Sequence, residues 1–283
     1  MRKWLFALLI LLLLPTQALA NEREVYIALG DSLAAGQTSY SQIDAGYTDF
    51  IALQLERQGR LAHFSKELTF PGYRVSNVIE TVKSEQAQAL LKEATVITIS
   101  AGANDLLPLI AHNPQKGTMN FSQLNANFAL NHVREKIDEL LQLVREKAPN
   151  ATIYVMGYYF PYVSVHNEQM AGATAALQLM NEILKQQATK AGATFVDVYD
   201  DFEQERANYL PNVSDVHPNQ LGYLVMANAM LRNYSGNDSL QLSEVDLPPP
   251  NPKSFEELLE LQEQRQTTPV ALHLLTAPRA IYV

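Results

Sequence analysis

Five short runs of apolar, mostly β-branched residues alternate along this chain with longer stretches whose apolar positions recur every three to four residues. That alternation restricts the fold more than any other feature. The runs lie at 25–29, 68–70 (the shortest), 96–100, 153–157 and 194–198. Runs without polar alternation belong to strands covered on both faces, and a helical stretch between consecutive strands makes those strands parallel. Helices are expected at 48–58, 75–93, 121–147 and 171–191, with a last one after Pro218. In the longest, Val133, Ile137, Leu140, Leu141 and Val144 share one face and Arg134, Glu135, Glu139 and Arg145 the other, so the stripe is core rather than a cofactor site.

Four segments stand outside this alternation. Arg2 and Lys3 precede an apolar run from Trp4 to Leu14, followed by Pro15 and Ala18-Leu19-Ala20. The run is shorter than the roughly 20 residues that cross a bilayer, so residues 1–20 read as a cleavable signal peptide and the mature chain as secreted or extracytoplasmic, with no membrane span left after cleavage. Residues 106–120, with two prolines, and 158–170, rich in aromatics, each follow the C-terminal end of an expected strand. Ligands of open α/β sheets bind at that edge, so both are candidate substrate loops, the plainer alternative being surface insertions. From residue 234 the texture turns to Ser235-Gly236-Asn237-Asp238-Ser239 and then Pro248-Pro249-Pro250, read as a linker and C-terminal appendage over 234–283, after a main domain at 21–233.

Composition removes whole classes of chemistry. The chain has no cysteine, which excludes disulfides, thiolate metal sites and cysteine nucleophiles. Its 21 Lys and Arg against 30 Asp and Glu, a net charge of −9, argue against a nucleic-acid partner held by broad phosphate neutralisation. With 47% hydrophobic residues it can build a core large enough to do without disulfides.

The chemistry gathers where strands are expected to end. The first leads into Gly30-Asp31-Ser32-Leu33, which puts a serine at the start of a helix, with its hydroxyl and backbone N–H at the sheet edge. Taken alone, Ser32 reads equally as a helix cap. Ala34 stands where a Gly-x-Ser-x-Gly elbow would carry its second glycine, so the turn is not of that kind. The third strand ends in Gly102-Ala103-Asn104-Asp105, whose carboxamide is a neutral donor suited to a developing oxyanion. Phe70-Pro71-Gly72 ends the second, where a residue without Cβ lets a backbone N–H come close. Far downstream, Asp215-Val216-His217-Pro218 offers an imidazole with a carboxylate two positions before it.

These four segments, in this order, resemble the blocks of the GDSL, or SGNH, hydrolase family over about residues 25–230. The resemblance implies an α/β fold, a flavodoxin-like three-layer α/β/α sandwich of SGNH-hydrolase type whose five-stranded parallel sheet has the order 2-1-3-4-5. It implies ester hydrolysis with Ser32 as nucleophile, His217 as general base, and an oxyanion hole of Ser32 N–H, Gly72 N–H and the Asn104 side chain, with no metal or organic cofactor. This sequence departs from the family pattern twice. Lys66-Glu67-Leu68-Thr69 stands where an asparagine often supports the second block, and Ser214 occupies the usual place of the acid three residues before the histidine. Asp215 is therefore the expected acid, the alternative being a helix-capping Asp215 with a backbone carbonyl orienting His217. The expected function is a lipase- or esterase-like acylhydrolase acting on a small-molecule, lipid or glycan ester. Three other readings stay open: a carbohydrate O-acetylesterase on the same site, a non-catalytic cell-surface binding protein, and a metal-dependent phosphohydrolase using Asp31, Asn104, Asp105 and His217.

Overall fold

The computed structural model describes residues 23–260 except 258. The expected signal peptide at 1–20 and the end of the expected appendage, 261–283, lie outside the described residues.

Four strands form where the apolar runs are: β1 (Glu24–Gly30), β3 (Val96–Ser100), β6 (Thr152–Met156) and β7 (Thr194–Val196). The fifth, β2 (Leu61–Thr69), is longer than the run at 68–70. It is an edge strand that pairs with β1, and its side chains are mostly half-buried, so its polar His63, Ser65, Lys66 and Glu67 hide the pattern. All pairings in this sheet are parallel and its order is β2-β1-β3-β6-β7, which is the expected 2-1-3-4-5 once strands outside it are left uncounted.

Between the strands lie α1 (Ser32–Ala35), α2 (Tyr47–Arg57), α3 (Val75–Lys83), α4 (Glu85–Glu93), α5 (Ala103–Leu106), α6 (Gln123–Lys147), α7 (Asn167–Lys190), α8 (Tyr199–Tyr209) and α9 (Gln220–Ser235). The helix expected at 75–93 is two helices. Ser84 has an extended backbone between them, and its Oγ accepts the Ala87 N–H at 3.2 Å, capping α4. In α6 the stripe from Val133 to Val144 is buried as its spacing requires, each large aliphatic contributing about 1.5–3 kcal/mol of burial. This helix packs against α3 and α7, while α9 packs against α2 and α8.

The two insertions meet. Residues 106–120 contain an antiparallel hairpin of β4 (Ala111–Asn113) and β5 (Thr118–Asn120), and the aromatic loop after β6 folds against it. The His166 N–H donates to the Gly117 carbonyl at 2.9 Å, and the His112 ring lies 4.5 Å from that of Tyr162. Met119, Phe160, Tyr162 and Ala173 form a small hydrophobic cluster of their own, a cap at the C-terminal end of the sheet.

The expected division at 233 falls within α9, which runs to Ser235. The chain beyond it stays on the sandwich: Leu240 and Leu242 are buried, Asn228 exchanges hydrogen bonds with the Leu242 backbone, and Arg57 pairs with Asp246 at 2.6 Å.

Candidate active site

The serine turn is built by a close approach of two strand ends. Gly30 has φ +137°, and a Cβ there would lie 2.0 Å from the Ser100 carbonyl oxygen, so no other residue fits. That same carbonyl accepts the Asp31 N–H at 2.9 Å. Asp31 caps α1 by accepting the Leu33 N–H at 3.0 Å, which leaves Ser32 at the first helical position, where a backbone N–H has no partner within the helix.

Asp31 is 1% exposed and held from three directions: Oδ1 also accepts the Ser100 hydroxyl at 2.8 Å, and Oδ2 accepts the Tyr158 hydroxyl at 2.7 Å. Burial pushes its carboxyl above the usual range, against the opposing effect of these bonds and of His217. Tyr158 is itself fixed, because the Asn181 amide bonds both its N–H, at 2.9 Å, and its carbonyl, at 2.7 Å. Both carboxylate oxygens are thus engaged by protein donors. No group of three or more acidic or histidine side chains able to hold a metal ion occurs among the described residues.

His217, far along the chain, comes to the same point. Its Nε2 lies 2.8 Å from the Ser32 hydroxyl and its Nδ1 2.7 Å from Asp215 Oδ1, which also accepts the His217 backbone N–H at 2.8 Å. Asp215 is thus bonded to the imidazole itself. Burial opposes its ionisation, but the bonds and charge of His217 outweigh that and hold its carboxyl below the usual range. Asp197 caps α8 through the Tyr199 N–H at 2.9 Å, and Asp201 faces Arg232 at 3.5 Å. The turn carrying the histidine is supported by the Tyr159 hydroxyl, which donates to the Val216 carbonyl at 2.8 Å, with the Tyr159 ring stacked on Phe202 at 3.9 Å.

Asn104 lines one cavity with Ser32 and His217. One of its amide hydrogens goes to the Tyr73 carbonyl at 2.9 Å, which fixes the orientation of the group and leaves the other hydrogen available. Gly72 is placed differently. It is exposed on the turn after β2 and does not line that cavity, and its φ of +83° explains the glycine by conformation. The turn is supported without the family's asparagine: Asn104 holds Tyr73, Asp105 accepts the Val75 N–H at 3.2 Å, and the Phe70 N–H donates to the Gly30 carbonyl at 3.0 Å. Lys66, in the neighbourhood of the missing asparagine, instead pairs with buried Asp49 at 2.7 Å and donates to the Ala35 carbonyl at 3.2 Å, tying β2 to α1.

One neighbour of the site carries no signal in the sequence. The Gln37 carboxamide lies 3.3 Å from His217 Nδ1, and its backbone carbonyl accepts the Tyr223 hydroxyl at 2.6 Å. A glutamine five residues after a serine has no periodicity or motif to mark it.

A parallel sheet in the order 2-1-3-4-5 with a serine, a histidine and a carboxamide converging at its C-terminal edge defines an α/β hydrolase of the flavodoxin-like kind. The model of the GDSL-like Lipase/Acylhydrolase family matches residues 28–225, and the chain belongs to that family, whose members are serine ester hydrolases. The spore germination lipase LipC of Bacillus licheniformis is 24% identical over 209 residues, which cover 71% of this chain and 92% of LipC. Among solved structures, the lipase Lip_vut3 from a goat rumen metagenome superposes with a TM-score of 0.59 at 22% identity, covering 76% of this chain and 98% of its own. A catalytic mutant of the acetylxylan esterase Axe2 from Geobacillus stearothermophilus gives 0.55 at 20% identity, covering 75% and 94%.

Proposed function

We infer that this chain hydrolyses carboxylic esters as a lipase- or esterase-like acylhydrolase, through Ser32, His217 and Asp215. The observation that carries the reading is the continuous hydrogen-bonded chain from the Ser32 hydroxyl through both ring nitrogens of His217 to Asp215. In the first step Ser32 Oγ forms a bond to the ester carbonyl carbon while its proton passes to His217 Nε2. Asp215 holds the proton on Nδ1 and stabilises the imidazolium. The carbonyl oxygen, now negative, is received by the Ser32 N–H and the free Asn104 amide hydrogen. Collapse breaks the bond to the alcohol oxygen, which leaves with the proton from His217. Water then attacks the acyl-serine by the same route, and the acid departs.

The catalytic unit is residues 21–233, with 234–283 as an addition to it, and removal of 1–20 yields a secreted or extracytoplasmic enzyme. Among the described residues no helix is long and apolar enough to cross a membrane. A fluorophosphonate probe is expected to label the wild type at Ser32, and Ser32→Ala is expected to fold and to lose several orders of magnitude of esterase activity. Turnover retained by that variant, or labelling elsewhere, would remove the covalent-serine mechanism.

A further inference from the structure

The cavity at Ser32 extends well past the reacting groups, between the cap and one face of α7. We propose that this extension takes the acyl chain of the ester and that α7 sets its length, selecting medium-chain acyl esters of about eight to ten carbons over acetylated sugars. The proposal rests on the serine-esterase reading given above.

The face of α7 in question carries Ala173, Ala176, Leu177 and Met180, the i, i+3, i+4 and i+7 positions of one stripe, and all four line the cavity. Met180 marks its near end. A Cβ on Gly102, two residues before Asn104, would come 2.8 Å from Met180 Cε. Ala173 marks the far end, where it packs in the cap cluster with Met119, Phe160 and Tyr162. Seven residues of helix span roughly 10 Å. An extended chain of single bonds advances about 1.2 Å per bond, so the stripe is about eight carbons long. Ala173 and Ala176 leave open the space that larger side chains would close.

The chemistry of the wall chooses the occupant. Its deeper part is built from aliphatic and aromatic carbon, including Leu107, Ile110 and Phe121. The two tyrosine hydroxyls nearest the reacting groups are committed, that of Tyr158 to Asp31 and that of Tyr159 to the Val216 carbonyl. A sugar ring seated there would leave several hydroxyls unpaired, which disfavours it strongly. An acyl chain gives up no hydrogen bond and gains up to about fourfold in binding for each methylene buried.

The test compares p-nitrophenyl esters from acetyl to palmitoyl, with acetylated xylan alongside, on the full-length wild type, Ala176→Phe, Ala173→Phe and Leu177→Ala. The wild-type kcat/KM is expected to peak at octanoyl or decanoyl. Ala176→Phe should lower the octanoyl-to-butyryl ratio of kcat/KM at least 10-fold. Ala173→Phe, one turn farther from Ser32, should move the peak down by fewer carbons, and Leu177→Ala should move it up, a change that survives if the larger side chains prevent folding. A chain-length profile that is the same in all folded variants, or a wild type that prefers acetylated xylan, would overturn the proposal while leaving the esterase reading in place. A wild type that neither hydrolyses any ester nor takes the fluorophosphonate label would overturn both.

Discussion

Lys253 and Ile43 form a single antiparallel bridge: the Lys253 N–H donates to the Ile43 carbonyl at 2.7 Å and the Ile43 N–H to the Lys253 carbonyl at 2.8 Å. Ile43 in turn bridges Gln37, the residue beside His217. The C-terminal segment therefore braces the loop that follows the nucleophile. Lys253→Pro, which removes the N–H, is expected to lower stability by about 1–2 kcal/mol, or roughly 2–8 °C in Tm, whereas Lys253→Ala should be near neutral. Ending the chain at Ser235 should lower Tm further, since it also removes buried Leu240 and Leu242 and the Asp246 partner of Arg57. Equal melting temperatures for Lys253→Pro and Lys253→Ala would show that the pairing contributes nothing.

Asn104→Ala is expected to reduce kcat by roughly 10²–10³ with little change in KM, because the lost donor acts on charge that exists only in the transition state. Steady-state kinetics on one ester suffice. A rise in KM alone would make Asn104 a ground-state binding residue.

For the acid, Asp215→Asn should cut kcat substantially, though less than Ser32→Ala, with Tm nearly unchanged, because the asparagine no longer stabilises an imidazolium. Asp197→Asn should affect chiefly the start of α8, whose Tyr199 N–H it caps. The reverse pattern, activity surviving the first change and collapsing in the second without unfolding, would move the acid to the end of β7.

Asp31 makes a prediction in pH. Its carboxyl is raised by burial, so between the ordinary carboxylate value near 4 and its own raised value the folded state binds more protons than the unfolded one. Stability from this group therefore falls as pH rises through that window and is level above it. Asp31→Asn removes the titration: its amide oxygen can keep the Leu33 N–H and Ser100 hydroxyl, and the Tyr158 hydroxyl can turn to accept from its N–H₂. The Tm of the variant minus that of the wild type should accordingly climb from pH 4 upward and then level off. A difference independent of pH would show that Asp31 does not titrate in this way.

The sequence by itself determined the number of strands in the main sheet, their parallel arrangement and the residues worth watching at each strand end. Those properties are local: an apolar run, a 3.6-residue stripe or a glycine at a sharp turn writes its requirement into adjacent positions. It marked only the end of β2, whose one-sided pairing lets polar residues into a strand, and was silent on α8, which buries a single residue, Phe202. Only the tertiary structure decided which carboxylate meets His217, how the turn bearing Gly72 is held without its usual asparagine, that the two insertions join into one cap, and that the chain to Lys253 returns to the nucleophile loop. Each of these depends on contacts between residues far apart in the chain, where a hydrogen bond forms because the sheet order brings two strand ends or loops together. No local pattern records such a meeting, and Gln37 beside His217 is its plainest case.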